Sequence, residues 1–175
     1  YYASIDGDMF PDMYYGRLPA NDTIQLMGML NKILYYEKYQ FADDSFLDDV
    51  TLIAGVDATY SPMWAQPAIK YGIENYFNTS QGFSTVNSYL NSYNGCYNAD
   101  KMRVGFINYT AHGSQTTWAN PLLSATTVSG FTNFGKYPLV VANCCQSGDF
   151  TIGGTSIGEA WIRNPNGGAI AYIGS

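Results

Sequence analysis

A chain of 175 residues, 46% of them apolar, can bury one sizeable core, and it holds no apolar run near the roughly 20 residues that span a bilayer. Eight Lys plus Arg against fourteen Asp plus Glu give a net charge of −6, which repels phosphate backbones and argues against a nucleic-acid partner. Three cysteines, two of them adjacent, make a disulfide framework a poor reading and leave at least one thiol free.

Tyr1 to Ile5 is strand-like and enters the turn Asp6-Gly7-Asp8, with Pro11 and Asp12 ahead of a second apolar run, Met13 to Leu18. Asn21 or Asp22 can cap a helix reaching about Gln40, in which Met27, Leu30, Ile33 and Leu34 recur at helical spacing and predict a core-facing stripe. Asp43 to Asp49 reads as a solvated acidic connection, without the Gly and terminal Glu of a calcium loop. Thr51 to Val56 is a buried strand, followed by a loop with Pro62 and Trp64 and a helix from Pro67 to about Phe77. Ser84 to Leu90 is a weaker strand or short helix, and Asn91 to Lys101 is a loop whose Cys96 has nothing basic near it and reads as an inert thiol.

Val104, Phe106 and Ile107 mark the next buried strand, which runs out at His112-Gly113. A short helix, Ser124 to Phe131, returns the chain to the β-branched run Leu139 to Ala142, which ends in Cys144-Cys145 and a Ser-Gly turn. Ser156 to Arg163 is a further helix and Ala169 to Ile173 the last strand. Alternation of this kind predicts an α/β domain with an open, mostly parallel sheet and helices on both faces. Both ends of the chain are strand-like and look cut, as in an excerpt from a longer protein.

The carboxyl ends of parallel strands form the reactive crevice of an open α/β sheet, so a thiol at Cys144 or Cys145 is placed for chemistry. His112 is the single histidine of the chain, and the helix between its strand and the cysteine strand predicts that the two lie parallel and close. An imidazole there can take the thiol proton and return it to a leaving amine, because a thiol attacks well only as thiolate. Gly113, with no side chain, can aim its amide N–H at a reacting carbonyl, and the nucleophile's own N–H would be the second donor of an oxyanion hole. Plainer readings compete: a lone histidine is more often structural, and Asp-Gly-Asp usually makes a tight loop. Adjacent cysteines and one histidine do not make a conventional zinc set. Gly154-Thr-Ser156-Ile-Gly158 matches the G-x-S-x-G nucleophile elbow and makes Ser156 a rival nucleophile, although no good strand precedes it and His112 lies before it in the chain. A non-catalytic binding module on the same fold is the reading from a different class.

Tyr109-Thr-Ala-His112-Gly-Ser114 followed by Ala142-Asn-Cys-Cys145, with Ile5-Asp-Gly-Asp8-Met-Phe-Pro-Asp-Met13 and Gln66-Pro-Ala-Ile-Lys-Tyr-Gly72, resembles the gingipains, secreted bacterial cysteine endopeptidases, and above all their lysine-specific branch. The resemblance covers nearly the whole chain. It implies a caspase-like fold, hydrolysis of peptide bonds through a thioester, and cleavage after a basic residue, lysine. It also implies that residues 1–175 are most of a catalytic subdomain, that a preceding subdomain and a following immunoglobulin-like region belong to the same precursor, and that the protein is secreted or held on the bacterial surface. By position it makes Cys145 the nucleophile, through the tail Cys145-Gln-Ser-Gly-Asp-Phe150, and His112 the general base and acid. Asp8 becomes the acid that orients the histidine, with Asp12 the alternative. The Gly113 and Cys145 amides would form the oxyanion hole, while Thr110, Asn143 and Cys144 would line the pocket for the P1 side chain. The resemblance implies no catalytic cofactor, allows structural calcium, and places the acid that binds a P1 lysine after Ser175.

Overall fold

The computed structural model describes residues 3–8, 10 and 12–175. Short runs rich in β-branched and aromatic residues, which pack well on a pleated surface, form the strands: β1 (Asp49–Ala54), β2 (Thr85–Tyr89), β3 (Phe106–Thr110), β4 (Thr117–Ala119), β5 (Leu122–Ser124), β6 (Leu139–Asn143) and β7 (Ala171–Gly174). Five of them make one sheet in the order β2-β1-β3-β6-β7, every neighbouring pair parallel. The helices are α1 (Thr23–Glu37), α2 (Gln66–Asn75), α3 (Ala99–Met102), α4 (Ala125–Ser129) and α5 (Ile157–Arg163).

Strand order explains the layering. From β1 the chain crosses outward to β2, then returns past β1 to β3 and continues in the opposite direction to β6 and β7. Parallel crossovers are right-handed, so reversing direction sends the connecting helices to opposite faces. Accordingly Val50, Leu52 and Ala54 pack with Ala65 and Ile69, at and beside α2, on one face. Ile53, Ile107, Tyr109, Val140 and Ala142 pack with Val128 of α4 and Ile157, Ala160 and Trp161 of α5 on the other. The reversal between β1 and β3 opens a crevice at their carboxyl ends, the usual ligand position in such sheets.

The expected α/β class and the parallel sheet with helices on both faces are what the structure shows. Details differ at the N-terminal end. Ala3 to Ile5 form no strand, Tyr1, Tyr2 and Pro11 lie outside the described residues, and Met13 to Leu18 run without regular structure and are exposed. Asp22 caps α1 by accepting from Gln25 N at 2.8 Å. The predicted stripe on this helix is rotated: Met27 and Leu34 are 53% and 48% exposed, whereas Met29 and Lys32 are buried. The reason is that α1 covers the outer side of α5, where polar acceptors await it. Lys32 Nζ donates to Ile162 O at 3.0 Å and Gly167 O at 2.7 Å, so its aliphatic stem is buried while its amine is satisfied. Burial lowers the Lys32 amine to about 7. The hairpin β4–β5, inside the β3-to-β6 connection, is too short to leave a pattern in the sequence. No helix among the described residues is long and apolar enough to cross a membrane.

Candidate active site

The register of the sheet sets the site. Ala54 of β1 pairs with Thr110 of β3, and Thr110 with Asn143 of β6, so three adjacent strands end level. Just beyond those ends come Asp57, His112 and Cys145 in turn. Pairing continues one step further, with Ala111 N donating to Asn143 O at 3.3 Å, which leaves His112 and Cys145 at matching positions past the sheet.

Of the two adjacent thiols, Cys145 is exposed and Cys144 buried. Burial pushes the Cys144 thiol up, away from the thiolate form. Cys144 Sγ faces Gly113, where a Cβ would stand 2.6 Å from that sulfur and 3.1 Å from Cys145 O. Only glycine allows the histidine loop to press this closely on the cysteine turn. The turn itself is sharp: Gln146 has φ +55°, a left-handed conformation that non-glycine residues adopt at a cost, directly after the exposed thiol. It is held by Gln146 N donating to Ser175 Oγ at 3.1 Å and by Asp149, which accepts from Gln115 Nε2 at 2.9 Å and so ties the cysteine loop to the histidine loop.

His112 is paired with Asp57, Nε2 to Oδ2, at 3.7 Å. Asp57 accepts from the Thr59 and Tyr60 amides at 2.8 and 2.6 Å, and these two N–H groups hold its carboxyl below the usual carboxylate range. The Tyr60 ring meets the imidazole edge-on, with centroids 6.1 Å apart. The structure sets a different carboxylate beside the imidazole from the expected Asp8: among the described residues Asp57 is the one within ion-pair distance. Asp8 accepts from Phe10 N at 2.7 Å within its own turn, and Asp12 accepts from the amide of Ile5, so both carboxylates serve the local N-terminal loop. Asp57 was missed although the rule that picks His112 and Cys145, a reactive side chain past the carboxyl end of a buried strand, applies equally to it.

Two crevices meet at the strand ends. One, of about 170 Å³, is lined by Asp57, Tyr60, Trp64 and His112. The other, of about 750 Å³, is lined by Asn108, Cys145, Ile173 and Ser175. Thr110, Ala111 and Asn143 form the wall they share, and Cys144 lies on the cysteine side. Thr110 Oγ1 donates to Asn108 Oδ1 at 2.9 Å, leaving a neutral polar lining. The described residues gather no group of three or more acidic, histidine or cysteine side chains able to hold a metal ion.

Ser156 is not available as a nucleophile. It is fully buried and caps α5: its Oγ accepts from Glu159 N at 3.2 Å while Glu159 Oε2 accepts from Ser156 N at 2.9 Å, the reciprocal capping box. The glycine-flanked serine is therefore a helix start. Ser156→Ala is expected to lower stability by about 1 kcal/mol, in a denaturant titration, and to leave the thiol chemistry at Cys145 intact.

The family model described as peptidase family C25 matches residues 1–175. Over 176 residues the chain is 44% identical to Lys-gingipain of Porphyromonas gingivalis, an alignment covering 100% of this chain and 10% of that protein. Gingipain R2 of the same organism is 22% identical over 170 residues, covering 91% of this chain and 22% of that one. A solved structure described as a protease superposes with a TM-score of 0.93 at 42% identity, over 98% of this chain and 38% of that chain. The arginine-specific cysteine proteinase gingipain R matches with a TM-score of 0.85 at 23% identity, over 99% and 42% of the respective chains, a likeness of fold.

Proposed function

Because the chain belongs to peptidase family C25, we propose that it carries the catalytic machinery of a cysteine endopeptidase that cleaves after lysine. The observation that carries this reading is the convergence of Asp57, His112 and an exposed Cys145 past the level ends of three adjacent parallel strands. In it the Cys145 thiolate attacks the scissile carbonyl and His112 passes the thiol proton to the leaving amine. Water then hydrolyses the thioester with His112 as base. With Nε2 turned to Asp57, Nδ1 is the ring nitrogen left for the thiol. Thiol, imidazole and backbone amides suffice for these steps, so the reaction calls on no cofactor.

Lysine preference rests on the 44% identity with a protein named Lys-gingipain, against 22% with gingipain R2. The crevice beside Cys145, walled by Asn108, Thr110 and Asn143, offers neutral oxygens to a P1 ammonium, and we assign the P1 side chain to it. Secretion or display on a bacterial surface, as part of a longer precursor, follows the same likeness. In the intact protein a lysyl chloromethyl ketone is expected to alkylate Cys145, read by peptide mass mapping. Amide substrates with P1 lysine should exceed those with P1 arginine in kcat/KM by roughly 100-fold, the discrimination a pocket reaches between side chains that differ in size and fit. Labelling that bypasses Cys145 overturns the nucleophile, and equal rates on the two substrates overturn the lysine assignment.

A further inference from the structure

We infer that two hydroxyl groups outside the reacting set, those of Tyr109 and Ser175, aim the oxyanion hole by fixing the two peptide planes that form it. This inference rests on the thiol-protease reading above. A trans peptide is planar, with its N–H pointing opposite to its C=O, so whatever fixes the carbonyl also aims the amide hydrogen. The Gly113 N–H belongs to the same peptide as the His112 carbonyl. That carbonyl accepts twice, from Tyr109 Oη at 2.7 Å and from Ala119 N at 3.0 Å. The Cys145 N–H belongs to the same peptide as the Cys144 carbonyl, which accepts from Ser175 Oγ at 2.7 Å.

Both amides are left free by this arrangement. Gly113 faces Trp118 in an antiparallel bridge whose hydrogen bonds are made by the flanking pairs, Ser114 N to Thr117 O at 2.8 Å and Ala119 N to His112 O at 3.0 Å. Among the described residues neither Gly113 N nor Cys145 N donates to any acceptor. Two unpartnered N–H groups from loops in van der Waals contact are what a developing oxyanion requires.

Each hydroxyl is itself held in place. The Tyr109 ring stacks on Trp118 with centroids 4.4 Å apart and planes 5° apart, and its oxygen accepts from Asn120 N at 2.9 Å, which turns its own hydrogen towards His112 O. Burial raises the Tyr109 hydroxyl well above the ordinary phenol range, so it stays a donor. Trp118 Nε1 donates in turn to Tyr172 Oη of β7 at 3.1 Å. Ser175 Oγ accepts from Gln146 N at 3.1 Å, which leaves its hydrogen for Cys144 O. Tyr109 and Ser175 are positioning residues: each hydroxyl is spent on the carbonyl it holds, His112 O or Cys144 O.

Tyr109→Phe keeps the stacked ring and removes only the hydroxyl, and Ser175→Ala does the same at the second peptide. In the intact protein each is expected to lower kcat on a lysyl amide substrate by roughly tenfold, less than the ~10²–10³-fold that follows outright loss of a hole donor. KM should hold within about threefold. Iodoacetamide alkylation of Cys145, a displacement at saturated carbon that builds no oxyanion, should proceed at the wild-type rate. Ser175→Thr should restore kcat. Variants that fold and match wild-type kcat overturn the inference, as does alkylation that falls in step with kcat, since that places the damage at the thiol. If Tyr109→Phe fails to fold by near-ultraviolet circular dichroism, the exposed Ser175 decides the outcome. A wild-type protein that cleaves no lysyl substrate overturns the protease reading as well as this one.

Discussion

Cys145→Ala is expected to abolish peptide hydrolysis, with kcat/KM falling by on the order of 10⁴ or more, while Cys144→Ala keeps activity within about tenfold of wild type. The two side chains sit on consecutive residues at the end of β6 and therefore point in different directions. One is open to the crevice, and the other is packed beneath the histidine loop. A buried thiol whose proton is held by its surroundings supplies little thiolate near neutral pH, and its sulfur is already in contact with the backbone of Gly113. Removing Cys144 Sγ should instead loosen that contact and cost about 1 kcal/mol of stability, as small deletions in a core do. Steady-state kinetics on a lysyl amide substrate and a thermal melt separate the effects. The reverse pattern, activity surviving Cys145→Ala and lost with Cys144→Ala, would transfer the nucleophile to the buried residue and require the turn at Gln146 to open.

How much of this was legible in the sequence depends on the range of the interaction. Leu139–Asn143 and Asp49–Ala54 announce themselves because strands buried on both faces need unbroken apolar, β-branched runs. His112 and Cys145 follow from being next to such runs. Ser156 was legible too, although the glycine pattern around it competed: Ser156-Ile-Gly-Glu159 spells a capping box, and the local hydrogen bonds are those of a helix start. Lys32 was not legible, because a lysine reads as a solvated residue until three-dimensional packing brings carbonyls from residues 162 and 167 to its amine. The pairing of Asp57 with His112 depends on β1 lying beside β3, a fact of strand order that no local pattern carries. Family resemblance pointed to Asp8, whose carboxylate is engaged by a backbone amide two residues away.

The choice between these carboxylates gives the second large effect. Asp57→Asn is expected to reduce kcat by roughly 10- to 10³-fold, whereas Asp8→Asn should leave kcat within about threefold. Asparagine keeps a carbonyl oxygen that can accept from the Thr59 and Tyr60 amides, so the loop entering the π-helical turn Ser61–Ala65 should hold its shape and the change isolates the charge. What is lost is the negative partner of the imidazolium that forms when His112 takes the thiol proton, together with the group that fixes the ring's orientation. At 3.7 Å, with 54% of the histidine side chain and 31% of the aspartate side chain exposed, this pair is partly screened by water. The penalty should therefore fall short of the ~10⁴-fold seen when a fully buried triad aspartate is neutralised. Because Asp57 stands on the Tyr60 and Trp64 side of the shared wall, away from the crevice assigned to P1 lysine, KM should change little while kcat falls. A loss confined to KM would make Asp57 a substrate contact, and wild-type kcat in Asp57→Asn beside an inactive Asp8→Asn would return the orienting role to the N-terminal turn.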